Sequence, residues 1–431
     1  MLAHLSQSIR AALAPFLPRG ALRRDLWASV ADAVAFSVMI GCGETYIPAF
    51  GLALGLGPVA AGMLASLPVL VGAVVQLVTP LAVSRLGTNR GWCVACTLIQ
   101  SLSFVPLVLW AIRGHASLVE LLVAASLYWS AGMAGGPAWN AWIGTLVPER
   151  MRTAFFAQRN RLGQFGVFAG FVIGGIILQI GEARDVTLLA FALIFSAAAF
   201  CRLVSTLLLA SCREVRRPER ASADGGLRTI PARLGQAVGS IARSPSGSLV
   251  AYACCLAFGA HFSGPYFTPY MLRERGFSYH AFMLVIATQF LAKAVALPAL
   301  GRLGSRIGSV GLLHVGGLSV IPLAMLWLVS DDVWYLMGVQ LVAGVSWAAY
   351  ELALALLFFE AVPHRERTAV VTAYNLGLAV ATVAGAGAGG LLLRACGEDS
   401  TAYLTVFVVS SLLRLAAVPL LRRVRVAADV R

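Results

Sequence analysis

Along the 431-residue chain, long apolar runs alternate with short polar breaks. Each run is long enough, at about 18 residues or more, to cross a hydrocarbon core of about 30 Å as a helix. Twelve spans are predicted, over 26–50, 58–82, 91–112, 118–146, 162–180, 186–210, 247–270, 280–301, 309–329, 333–361, 368–393 and 400–421. The breaks are short except for 211–246, a stretch of arginines among Pro, Ser and Gly with no apolar run. The pattern predicts an all-α polytopic membrane protein.

Composition agrees. Hydrophobic residues make up 59% of the chain and charged ones 12%, against about 25% charged in soluble domains. The net charge of +14 changes the picture only through its placement. With the termini and the even-numbered loops assigned to the cytoplasm, 25 of the 33 basic residues lie on that side and five on the other. Such asymmetry orients membrane proteins, so both termini are expected inside, in a bacterial-type inner membrane. The charge then describes topology and contact with anionic lipid. A nucleic-acid partner would need a soluble basic domain, and none is visible. Residues 1–25, with "LSQSIRAALAPFL", read as an amphipathic segment on the inner leaflet and lack a small-residue cleavage site.

The chain also repeats itself. "GETYIPAF" (43–50) aligns with "AHFSGPYF" (260–267), and "RLGTNRG" (85–91) with "RLGSRIG" (302–308), both at an offset of 217. "VPERMRTAFFAQRN" (147–160) aligns with "VPHRERTAVVTAYN" (362–375) at 215, and Gly170, Gly174 and Gly175 meet Gly385, Gly389 and Gly390 at the same offset. Two copies of a six-span bundle, 26–210 and 247–421, are expected to run in the same direction, joined by a cytoplasmic linker 211–246 and followed by a basic tail 422–431.

Six plus six spans, a long central loop and a Gly/Arg turn after spans 2 and 8 together resemble the major facilitator superfamily over essentially the whole chain. The resemblance implies two bundles rocking about a site near mid-membrane, with spans 1, 4, 7 and 10 facing the cavity. It also implies a secondary transporter working by alternating access, not an enzyme, without cofactor or metal, and monomeric. Two family signatures are incomplete. The loop after span 2 keeps Arg85, Gly87 and Arg90 but has Ser84 where the family usually has an aspartate; its second copy has Gly301 there. Span 5, "GVFAGFVIGG", keeps Gly166, Gly170, Gly174 and Gly175 of an antiporter-like signature, with Phe171 in place of proline. Glycines of this spacing let helices approach closely.

Ionisable residues deep in a span are costly and usually mark a pathway. Asp32, Glu44, His261 and Glu351 are the candidates for proton coupling. Lys293, the only lysine beside 32 arginines, is too deep to snorkel and is expected in a substrate cavity. The 217 offset places it opposite Gln76, and His261 opposite Glu44. Tyr46, Trp139, Asn140, Trp142, Tyr266 and Tyr350 are further cavity candidates, since rings beside an amide suit an amphipathic solute. Structural ion pairing and helix packing are the competing readings for these residues. Asp32 is either a proton site or a carboxylate paired with an arginine near the cytoplasmic mouth. Arg85, Arg90, Arg302, Arg306, Arg150, Arg152, Arg365 and Arg367 read as cytoplasmic gate residues.

A phosphate-binding loop needs Gly-Lys-Ser/Thr, and Lys293 lies between two alanines, so ATP hydrolysis by this chain is not expected. Six scattered histidines show no metal-ligand spacing, and the Cys93/Cys96 pair reads as packing. The expected function is proton-coupled movement of a small amphipathic solute, leaning to efflux. The alternatives are uptake of an organic anion or translocation of a lipid or lysolipid.

Overall fold

The computed structural model describes residues 20–214, 246–361 and 367–424. The amphipathic N-terminal segment, most of the linker and most of the tail lie outside the described residues. So do Arg365 and the side chains of Arg150, Arg152 and Arg367.

Among the described residues all regular structure is helical, and eleven helices are long and apolar enough to cross a membrane. They are α1 (Ala21–Ala53), α2 (Pro58–Leu86), α3 (Asn89–Arg113), α4 (Leu118–Leu146), α5 (Glu149–Glu182), α6 (Thr187–Ser211), α7 (Gly247–Glu274), α10 (Val333–Ala361), α11 (Arg367–Ala395), α12 (Ser400–Leu421) and one unit, Tyr279–Leu328. That last unit turns at Gly308, with φ 76° and ψ 167°, a conformation open to glycine and not to residues with a β-carbon. It therefore makes two passes, α8 (279–307) and α9 (309–328), and the passes number twelve.

One boundary differs in a way that matters. Span 5 is expected from 162, but α5 begins at Glu149 and carries Arg159 into the bundle. Hydropathy finds the apolar middle of a helix; the hydrogen-bonded backbone runs on through polar residues wherever another helix satisfies them.

The α1 helix breaks where its sequence requires. Pro48 has no N–H to give the Glu44 carbonyl; Ile47 N bonds that carbonyl instead, and Glu44–Tyr46 form a 3-10 turn. In α7 the equivalent turn is Gly264–Tyr266, between Ser263 and Pro269.

Glycines bring α1 against α5 and α7 against α11. A methyl group at Gly170 would collide with Val38 O, and one at Gly385 with Phe258 O. Gly166 lies against Ser37, Gly174 against the Tyr46 ring, and Gly389 against Phe262 O. Gly175 faces the other half, against Met283, while Gly390 lies against Tyr266 of its own half with Val59 of the other half beyond it.

These contacts correct the register of the repeat. Val38 and Phe258 play the same part against Gly170 and Gly385, an offset of 220 (258 − 38) where those glycines are 215 apart. Tyr46 OH donates to Phe171 O and Tyr266 OH to Ala386 O, again 220 apart on acceptors 215 apart. The 3-10 turns Glu44–Tyr46 and Gly264–Tyr266 agree. Phe50 packs on Phe191 and Phe195, as Tyr270 packs on Tyr403 and Phe407, so the last helices are related by 212 (403 − 191). The 217 alignment of the first spans is a slip of three residues. On a helix of 3.6 residues per turn such a slip nearly restores the apolar face, which is why it aligns well. With the register corrected, Glu44 matches Gly264, not His261.

The two halves meet through α5 with α8 and α2 with α11, at the ends away from the termini. Phe282 packs on Tyr46 and Phe171, Phe290 on Phe171, and Tyr279 on Phe191. His280 N donates to Gln179 Oε1 at 2.9 Å, and Arg273 Nη1 to Leu56 O at 3.1 Å. The far face is closed by aromatic packing.

Candidate functional site

In the N-terminal half, four helices converge on a buried polar cluster. Asp32 of α1, 2% exposed, pairs through Oδ2 with Arg159 Nη2 of α5 at 3.0 Å, and its Oδ1 accepts from Ser205 Oγ of α6 at 2.6 Å. Arg202 of α6 donates to Ser205 Oγ at 2.8 Å and to Gln100 Oε1 of α3 at 2.7 Å. Gly132 makes room for Gln100, since a β-carbon there would come within 2.6 Å of its amide. The guanidinium of Arg159 lies 4.2 Å from the Trp139 ring centre, and that of Arg202 4.4 Å from Phe36, cation–π geometry that offsets part of the desolvation cost. Trp139, Asn140, Asp32, Arg159 and Arg202 line a cavity of about 240 Å³. Two guanidiniums and one carboxylate leave this cavity positive.

The C-terminal half has its own cavity of about 240 Å³, walled by Trp327, Trp347, Phe267, Gln289, Gln340 and Arg414 among others. Arg414, 4% exposed, donates to Val320 O at 3.0 Å and Ser263 Oγ at 3.2 Å. Its Nε has no partner.

Beside this cavity, Lys293 Nζ and Glu351 Oε2 stand 2.5 Å apart, with side chains 20% and 51% exposed. That exposure faces inward. On α8 the exposed apolar residues Leu291 and Val295 lie on the side opposite Lys293, two residues away in either direction, at about 100° per residue. On α10, Gln340, Ala343, Trp347 and Glu351 recur at helical spacing along one face, while exposed Trp334 and Leu341 lie about a quarter-turn off. Gln289 and Trp347, each four residues before a member of the pair, wall the cavity, so the pair continues that wall by one turn.

The remaining candidates scatter. Glu44 accepts from Tyr128 OH at 2.6 Å, near the closed face. Tyr46 and Tyr266 are buried in the helix crossings described above. Tyr350 is buried against Tyr252 and Gly316. Trp142 is 1% exposed and donates to Arg213 O at 2.9 Å, away from the wall that Trp139 and Asn140 form. These four aromatics are thus packed in the core and not on either cavity wall. Their side chains leave the helix on its neighbour-facing side, which aromatic composition alone does not reveal. His261 follows Ala260 of the C-half cavity wall, and Gln76 is half-buried at a 3-10 turn, Gln76–Val78. Arg85, Arg302 and Arg306 are exposed. Arg90 donates to Cys212 O at 3.0 Å, within its own half.

Sequence reading missed Arg202 and Arg414 as site residues and counted Arg159 as a loop residue. Their signal was present: two arginines inside apolar spans 6 and 12. It also missed Glu214, which accepts from Thr88 Oγ1 and, at 2.7 Å, from Asn89 N, putting a carboxylate beside a turn whose own position 84 is Ser84.

The model of the Major Facilitator Superfamily matches residues 33–278 and 249–430, and the chain belongs to that family. Among solved structures it is similar to the nucleoside transporter NupG, with 11% identity over 92% of this chain and 98% of that one and a TM-score of 0.66. It is likewise similar to a bacterial homologue of the human lysosomal transporter Spinster in an inward-facing, occupied conformation (17%, 95% and 97%, 0.66). The xylose transporter XylE from E. coli is a third (11%, 92% and 96%, 0.65). At these identities the likeness is one of fold. A search of curated proteins gives no match. The chain is a secondary-transporter-type membrane protein of this family.

Proposed function

We propose that the chain is a monomeric, proton-coupled secondary transporter of a small organic solute, lying in a bacterial-type inner membrane with both termini in the cytoplasm. On that orientation the closed aromatic face is external and the structure is inward-facing, one end state of alternating access.

The observation that carries this reading is the Lys293–Glu351 pair, 2.5 Å apart and one turn beyond the wall of the C-terminal cavity. When Glu351 takes a proton from water in the cavity, it becomes neutral and Lys293 loses its counter-charge. The free ammonium then attracts an anionic group on the solute. When the solute leaves, Glu351 returns its proton to water and the pair re-forms. Proton and solute occupancy are linked because both act on one ammonium group. Asp32 is already held by Arg159 and Ser205, which supports a positioning role; Glu44, on Tyr128, stands near the external closure.

Proteoliposomes carrying an imposed pH gradient and a panel of organic solutes test this. The parent transports a solute with the gradient, the sign of the gradient giving the direction, and Glu351→Gln transports it without regard to pH. Unchanged pH dependence in Lys293→Gln would overturn the proposal.

A further inference from the structure

Arg414 is a buried cation for which no ion pair is found among the described residues. An arginine cannot shed its proton in a protein, so burial does not neutralise it as it would a lysine or histidine. Its hydrogen bonds go to two neutral oxygens, Val320 O and Ser263 Oγ, and Nε has none. A buried charge without a counter-charge is unfavourable, yet Arg414 sits on a cavity of about 240 Å³ with room for one. Its counterpart Arg202 reaches a carboxylate through Ser205, so this condition is particular to the C-terminal half.

The cavity specifies more than charge. A water-sized ion occupies about 30 Å³, far less than is available, while drug-sized ligands need about 300 Å³ or more. Trp327 and Trp347 supply apolar surface, and Gln289 and Gln340 supply amides for oxygen atoms.

We propose that this cavity binds a small organic monoanion, its carboxylate on Arg414 and its apolar or aromatic body against Trp327 and Trp347. Gln289 and Trp347 each stand one turn, about 5.4 Å, from Lys293 and Glu351. A carboxylate leaving the cavity past Gln289 therefore meets a second cation one helical turn beyond that wall. For its role in transport this inference rests on the coupling reading above; binding itself does not require it.

The test uses the purified full chain in an uncharged detergent, with benzoate as probe. Benzoate is expected to raise the melting temperature saturably and to change tryptophan emission. Benzamide, the uncharged isostere, and chloride at matched ionic strength are expected to act at least about tenfold more weakly, the loss typical of a charge-assisted contact. Arg414→Gln abolishes the benzoate effect, and Gln340→Leu weakens it several-fold without touching the charge, which keeps the test sharp if the arginine variant does not fold. A parent with no saturable response would overturn the assignment, as would chloride matching benzoate or variants that bind like the parent. Benzoate binding without proton-driven transport would uphold the cavity and remove the coupling scheme; proton-driven transport without benzoate binding would do the reverse.

Discussion

Each half of the protein buries one arginine at the same place in its last helix, and the two are treated differently. Arg202 joins a chain running through Ser205 to Asp32 and on to Arg159. Arg414 meets only neutral acceptors. The N-terminal half carries its own counter-charge, whereas the C-terminal half presents a bare cation to a cavity and holds the Lys293–Glu351 pair one turn beyond the wall residues Gln289 and Trp347. Repetition kept the backbone scaffold, including the tyrosine-to-carbonyl bonds that pin α1 on α5 and α7 on α11, while the polar contents diverged. Glu351 stands where the first half has Gly136, at the offset of 215 that relates α4 (Leu118–Leu146) to α10 (Val333–Ala361).

The largest test of this contrast is its sign. Asp32→Asn leaves two guanidiniums buried without a carboxylate and is expected to cost about 3–5 kcal/mol, seen as a large fall in melting temperature. Arg414→Met removes a bare buried charge, and in ligand-free detergent the variant is expected to melt at or above the parent. Equal destabilisation by the two would erase the distinction.

Next in size is coupling. Loss of either Lys293 or Glu351 is expected to change the proton dependence of transport by about 5–150-fold, the span of a typical coupling energy. Gln76→Leu, at the position that the 217 offset puts opposite Lys293, is expected to leave that dependence in place. Proteoliposome flux at two pH values separates them.

The closure predicts an intermediate effect. Gly175→Leu drives a side chain into Met283 and is expected to cost about 1–3 kcal/mol. It also holds the external ends apart, so external thiol reagents should reach a cysteine placed at Phe282, with Met283 kept, faster in that background.

The smallest effects should be the most alike. Tyr46→Phe and Tyr266→Phe each remove one buried hydrogen bond, at 2.7 and 2.6 Å, and each is expected to cost about 0.5–1.5 kcal/mol. Unequal losses would mean that the scaffold itself is not shared.

Fold class was legible from hydropathy because a bilayer demands apolar helices of a minimum length. The repeat was legible too, but its register was not: Pro48/Pro265 and Phe50/Phe267 match in sequence while the helix crossings relate residues 220 apart. The candidate site was read in part. Lys293 and Glu351 stood out as charges in apolar runs, yet nothing in their spacing of 58 residues (351 − 293) said that they touch. Trp139 and Trp142 look equivalent in "PAWNAWIG", but one lines a cavity under Arg159 and the other holds Arg213 O.

By itself, then, the sequence determined that this chain crosses a membrane about twelve times, in two related sets of six, with a handful of charges placed where lipid would not tolerate them. Tertiary structure decided which of those charges have partners. A buried charge is settled by what lies within a few ångströms of it, and neighbours on different helices are brought there by side-chain packing that a one-dimensional pattern does not encode.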